Sequence, residues 1–187
     1  MTAPTIGQQP GPARSRRLFF ALWPDRTALR ALEALRCQQL PAQAGRTVHS
    51  ADLHITLLFL GAVPEARLPA LCAAAARVRA RPLSLRFNAL ECWQGGRICA
   101  AVAVPNAAAE ALHRQLRALA EGLGVVLERR PFVPHITLAR HLPRSLVAGL
   151  RRLSPVPVSA ARFCLAESRP ARTGSSRYAV LHSWPLR

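Results

Sequence analysis

The chain contains no lysine. All 26 basic residues are arginine, set against nine acidic residues, for a net charge of +17 and a pI near 11.8. So few carboxylates argue against the acidic cluster that a two-metal phosphoesterase uses. Cysteine is sparse and dispersed: Cys37, Cys72, Cys92, Cys99 and Cys164 form no C-x-x-C pair. That spacing argues against a zinc site or a dithiol motif and leaves reduced, buried thiols as the expectation. No unbroken apolar run reaches the roughly 18 residues of a membrane span. The N-terminus carries no apolar stretch of signal-peptide length, and a cytoplasmic protein is expected.

What is present is a core. Half of the 187 residues are apolar, enough for one domain or for two small lobes sharing one core. The arginine excess has two compatible readings. One is an anionic partner, most simply nucleic acid, met by bidentate guanidinium groups. The other is a biased genome that favours Arg, Ala, Leu and Pro codons.

The tetrapeptide His-Ile-Thr-Leu occurs twice, at His54–Leu57 and at His135–Leu138, each inside an apolar run that reads as a strand. Residues i and i+2 of a strand share a face, so each copy aims one imidazole and one hydroxyl the same way. Around the motifs the pattern predicts a strand near 17–23 and a helix from an Asp25 cap to about Gln39. The first motif strand is expected over Leu53 to Leu60, then a helix carrying Leu68, Leu71, Ala75 and Val78, and a strand over 83–87. Further strands are expected at 98–104, about 125–127 and 133–140. A third helix is expected over 107–123 and a short one over 145–153. One strand is expected to run from Val156 through Glu167, and a last one over 178–184, after a loop around Gly174. Residues 1–15, rich in Pro, Gly and Gln, read as a flexible tail, leaving 16–187 as a single domain.

This order repeats. Phe19 precedes His54 by 35 positions, and Ile98 precedes His135 by 37. Two similar α+β lobes, each supplying one His/Thr strand to a shared groove, are the expected architecture. Two imidazoles facing one another across a phosphorus atom are a general acid and a general base. Opening a ribose 2′,3′-cyclic phosphate needs both, in line on opposite sides, and each contributes about 10²–10⁴-fold. Thr56 and Thr137 would hold the non-bridging oxygens. The chemistry needs no metal and no cofactor, and the motifs place no third ligand for zinc.

The segments RLFFAL at 17–22, AGRTVHSADLHITLLFLG at 44–61, RPFVPHITLAR at 130–140 and RYAVLHSWPL at 177–186 carry a family resemblance. Over about residues 16 to 187 the chain resembles the 2H phosphoesterase superfamily. Within it, the likeness is to the RNA 2′,3′-cyclic phosphodiesterases of the LigT/ThpR type, first named 2′-5′ RNA ligases. The resemblance implies a bilobal α+β fold with pseudo-twofold symmetry, two antiparallel sheets around a V-shaped central groove and helices outside. It implies hydrolysis of the cyclic phosphate to a 2′-phosphate, with His54 as proton donor to O3′ and His135 as the base on water. It also implies that Thr56, Thr137 and Arg140 bind the phosphate. Strict alternation points Arg140 away from His135, so that role requires a twist, bulge or strand end.

Phe20 and Phe132 are candidates for stacking on a base, core packing being the favoured reading. Arg130, with Arg129, is either an RNA rim or solvated charge, and Tyr178 contacts ligand or lobe. Phe59, the counterpart of Arg140 in the repeat, reads as core or groove wall, and His113 as solvated. The expected partner is RNA with a 2′,3′-cyclic phosphate end, or a small cyclic nucleotide, with no membrane and no obligate protein partner. The competing functions are 2′-5′ ligation at the same site and non-catalytic RNA binding by an arginine-rich surface.

Overall fold

The computed structural model of the chain describes residues 14–40, 45–143, 146, 151–170 and 176–187. The first strand, β1 (Ser15–Leu22), alternates strictly: Leu18, Phe20 and Leu22 enter the main core while Phe19 and Ala21 join a small cluster on the other face. Helix α1 (Arg26–Gln39) starts where the Asp25 carboxylate accepts from the Ala28 amide at 2.8 Å, and buries Ala28, Leu32 and Leu35. The two-residue β2 (Arg46–Thr47) and a 3₁₀ turn over Ser50–Asp52 lead into β3 (Ile55–Pro64).

Helix α2 (Leu68–Ala75), β4 (Leu83–Trp93) and β5 (Ile98–Ala103) follow. Helix α3 (Ala107–Gly122) is capped by Asn106 and buries Ala109, Leu112, Leu116 and Ala120. The chain ends in β6 (His135–Arg140), β7 (Arg151–Ala160), β8 (Arg162–Ser168) and β9 (Tyr178–Pro185). Among the described residues no helix is long and apolar enough to cross a membrane.

The strands form an antiparallel sheet in the order β7-β4-β5-β6-β3-β1-β8-β9, with β2 against β6. The two motif strands β6 and β3 are its centre, joined through the single ladder pair Ile55↔Ile136. Outward from that junction each arm has four strands, so the fold is α+β with two arms related by a pseudo-twofold at the junction. The arms are not the two halves of the sequence. The third strand of the first half, β4, pairs with β5 of the second half, and β8 crosses back to pair with β1.

Three expectations change. The run from Val156 to Glu167 is two strands, because β7 closes the edge beyond β4 while β8 fills the edge of β1. One residue, Ala161, links them, so the sheet curls and its two ends approach there. Arg151–Leu153 are strand rather than helix, since they extend the β4 ladder (Leu90↔Arg151, Ala89↔Arg152). Most of the helix expected at 145–153 lies outside the described residues, as do residues 1–13 and the expected loop around Gly174. Val125–Leu127 has no ladder partner and is not a strand. Pro155 and Pro157 fit β7 because it is an edge strand, where a missing N–H costs no ladder bond.

Candidate active site

The antiparallel register sets four side chains on one face of the junction. With Ile55 opposite Ile136, one step either way puts Thr137 across from His54 and His135 across from Thr56. Ile55 and Ile136 point to the other face and are fully buried. All four His and Thr side chains line one cavity of about 430 Å³.

Each imidazole is oriented in the same way. His54 Nδ1 donates to the Asp52 carbonyl at 2.7 Å, and His135 Nδ1 donates to the Val133 carbonyl at 2.8 Å. That tautomer leaves Nε2 as the reactive nitrogen of both rings. His54 Nε2 lies 3.0 Å from Thr56 Oγ1, and in the neutral ring it accepts from the hydroxyl.

The motif strands also share a bulge. Along β1, Phe20 pairs with Leu58 and Ala21 with Thr56, so Leu57 has no opposite residue. Along β5, Cys99 pairs with Ala139 and Ala100 with Thr137, so Leu138 has none. Leu57 and Leu138 are the same motif position, 81 residues apart. A bulge shifts the side-chain parity by one. It returns Arg140 to the face of His135 and Thr137, and Phe59 to the face of His54 and Thr56. Both line the cavity, so the bulge that Arg140 required is present and Phe59 is groove wall.

The carbonyl of each bulged leucine has a hydrogen-bond donor from outside the bulged pair. The Leu138 carbonyl accepts from the Val48 amide at 2.9 Å. The Leu57 carbonyl accepts from His113 Nδ1 at 2.7 Å, with Phe132 stacked on the His113 ring at 4.6 Å. His113 is therefore not a solvated helix residue but a cap on the first motif strand.

The surroundings of the two histidines differ. Phe19, Trp23 and Tyr178 enclose His54, with centroids 5.0, 5.3 and 4.8 Å from its ring. Burial pushes the His54 imidazole down to about 4, against the pull of the Asp52 carbonyl and carboxylate. His135 has one aromatic neighbour, Trp93 at 4.7 Å, whose indole N–H donates to Glu91 at 2.6 Å. Burial lowers the His135 imidazole too, with Arg140 adding to the effect, while its carbonyl bond and Glu91 oppose.

Of the aromatic and basic candidates, Tyr178 lines the cavity. Phe20 does not. Strand parity buries it completely against Phe163 and Trp184, and its neighbour Phe19 takes the cavity position. Phe132 lies against His113, outside the lining. Arg130 is exposed and paired with Glu128.

Sequence reasoning missed Trp23 and Trp93, Arg17, Arg177, and Asp52. Asp52 is the one buried charged side chain among the described residues. Its carboxylate accepts from the Ser176 hydroxyl at 2.5 Å and from the Arg177 amide at 2.9 Å. It thus ties the start of β9 to the turn that presents His54. The parity of Leu18, Phe20 and Leu22 was the available signal for Phe19.

A family model described as the 2′-5′ RNA ligase superfamily matches residues 23–171. The chain is 31% identical over 176 residues to an RNA 2′,3′-cyclic phosphodiesterase of Escherichia coli, covering 91% of this chain and 96% of that one. It is 33% identical over 154 residues to one from Geobacillus stearothermophilus, covering 74% of this chain but 47% of that protein. The chain therefore spans about half the length of that relative. The crystal structure of E. coli LigT complexed with 3′-AMP superposes with a TM-score of 0.81 at 30% identity, covering 92% of this chain and 99% of that one.

Proposed function

The chain belongs to the 2′-5′ RNA ligase superfamily, and from that premise we propose that it hydrolyses 2′,3′-cyclic phosphate ends of RNA to 2′-phosphates without a metal. The observation that carries the reading is the pair of imidazoles on one cavity wall. Each is tied through Nδ1 to a backbone carbonyl, each offers Nε2, and each has a threonine two residues on.

In the proposed reaction His135 Nε2 takes a proton from the water that attacks phosphorus. His54 Nε2 gives a proton to O3′ as the P–O3′ bond breaks, leaving the phosphate on O2′. Thr56, Thr137 and Arg140 meet the non-bridging oxygens as charge shifts onto them. With a value near 4, the general-acid ring is neutral at pH 7. The bound phosphate supplies the negative charge that lets that ring carry its proton.

The reading extends to the whole chain: residues 16–187 act as one bilobal domain with RNA ends as substrate, in the cytoplasm. Purified protein in EDTA should convert an RNA ending in a 2′,3′-cyclic phosphate to the 2′-phosphate form, resolved by chromatography against both terminal isomers. Product carrying a 3′-phosphate, or activity lost with EDTA, would sink it.

A further inference from the structure

Three arginines line the cavity, Arg17, Arg140 and Arg177, and no acidic residue lines it. Among the described residues none of the three is in an ion pair. The nearby acids are already taken: Glu65 and Glu167 pair with Arg16, and Glu167 also with Arg169. Arg16 and Arg17 are successive residues of β1 and point to opposite faces. The outward arginine is thus matched to carboxylates, and the inward one is left uncommitted.

Arg140 stands beside His135, within reach of a phosphate at the junction. Arg17 and Arg177 stand on the other arm. Register sets Arg17 and Ser168 in one row with Tyr178, and Arg177 directly precedes that row at the entry to β9. Leu18 pairs with Glu167, so the next step sets Arg17 opposite Ser168, and Ser168 pairs with Tyr178, the residue after Arg177. Arg17 lies over the Phe59 ring at 4.7 Å, and Phe59 occupies the place that Arg140 holds on the other arm. The cation on this arm is therefore set back from the junction by the depth of a ring. Asp52 accepts from the backbone amide of Arg177, which fixes that residue while leaving its guanidinium unengaged.

We propose that Arg17, Ser168 and Arg177 form a second phosphate subsite. It takes the phosphate on the 5′ side of the terminal nucleotide while the cyclic phosphate lies between the histidines. The proposal rests on the reading above and narrows it: the preferred substrate carries two phosphates and is an RNA end rather than a bare nucleoside cyclic phosphate. A planar fork meets a phosphate with two hydrogen bonds, so two such groups and a hydroxyl make a selective site.

Binding of reaction products tests the subsite without requiring turnover. Titration calorimetry should give adenosine 2′,5′-bisphosphate at least about tenfold tighter binding than adenosine 2′-phosphate, as charge-assisted contacts of this type are strong. In Arg17→Gln and Arg177→Gln the ratio should fall toward one. Arg114→Gln, which removes an exposed charge on α3, should leave it unchanged. A dinucleotide ending in a 2′-phosphate separates the two sources of the second phosphate. A gain with both ligands assigns the subsite to any 5′-phosphate, and a gain with the dinucleotide alone assigns it to the chain diester. Equal binding of one and two phosphates by the wild-type protein overturns the subsite even where cyclic phosphates are hydrolysed. A gain that depends on Arg17 without any turnover keeps the subsite and removes the hydrolase reading.

Discussion

The arm that carries His54 and the arm that carries His135 share a tetrapeptide, a bulge at its leucine, and an Nδ1 bond to a carbonyl two residues back. They differ in everything that surrounds those atoms. His54 is enclosed by three aromatic rings and bonded to its own threonine. His135 has one ring beside it, and that ring is tied to Glu91. One arm caps its bulge with a side chain, the other with a backbone amide. Identical local sequence therefore yields identical orientation in different surroundings, because orientation is set within the strand and desolvation is set by neighbours.

The sharpest way to break the comparison is to remove each imidazole. His54→Ala and His135→Ala should each lower kcat by about 10²–10⁴-fold. They should remove opposite limbs of the pH–rate profile measured in single turnover. Loss of the same limb in both would end the acid and base division.

Next come the threonines. Thr56→Val should cost more than Thr137→Val, of the order of 10²-fold against about 10-fold in kcat. Thr56 lines the cavity and also bonds His54 Nε2, a contact Thr137 has no counterpart for among the described hydrogen bonds. It should also move the kinetic pKa of His54, which Thr137→Val should not.

The third prediction concerns stability. His54 has a folded value near 4, below the roughly 6.5 of an unfolded histidine. The unfolded chain therefore binds the extra proton first as pH falls. Stability is full above pH 6.5, declines between 6.5 and 4, and is flat below, a loss of roughly 3 kcal/mol from this ring. Urea melts of His54→Asn across that window should show a shallower slope than wild type. A slope unchanged by the substitution would mean that the ring is not desolvated. His135 is lowered too, so its replacement should flatten the slope in the same direction.

The smallest expected effect tests the bulge caps. His113→Phe keeps a ring for Phe132 to stack on but leaves the Leu57 carbonyl without its donor, at about 1–3 kcal/mol in thermal unfolding. Turnover should fall with it if the bulge positions Thr56. No side-chain substitution reaches the equivalent Leu138 cap, whose donor is the Val48 amide.

Much of the site was legible from one dimension. Parity within a strand does not depend on the rest of the fold, so the pairing of His54 with Thr56 and of His135 with Thr137 could be read directly. Asp25 before the leucines of α1 announced its helix for the same reason: the cap bond spans three residues. Trp23 and Trp93 were not legible as neighbours of the two histidines. Trp93 lies at the end of β4, which leaves its own half to pair with β5. No local pattern records that crossing. Arg140 was legible only as a conflict between its expected role and strict alternation, and the bulge at Leu138 resolved that conflict.

By itself the sequence determined the chemical groups, their orientation within each strand, and the existence of two equivalent copies. These follow from side-chain periodicity, which is a property of the backbone over a few residues. The tertiary structure decided that the copies meet at Ile55 and Ile136, that Arg140 and Phe59 turn inward, and that His54 holds its proton less readily than an ordinary histidine. Those outcomes depend on which strands become neighbours and on how much water they exclude. Both are set by contacts between residues far apart in the chain.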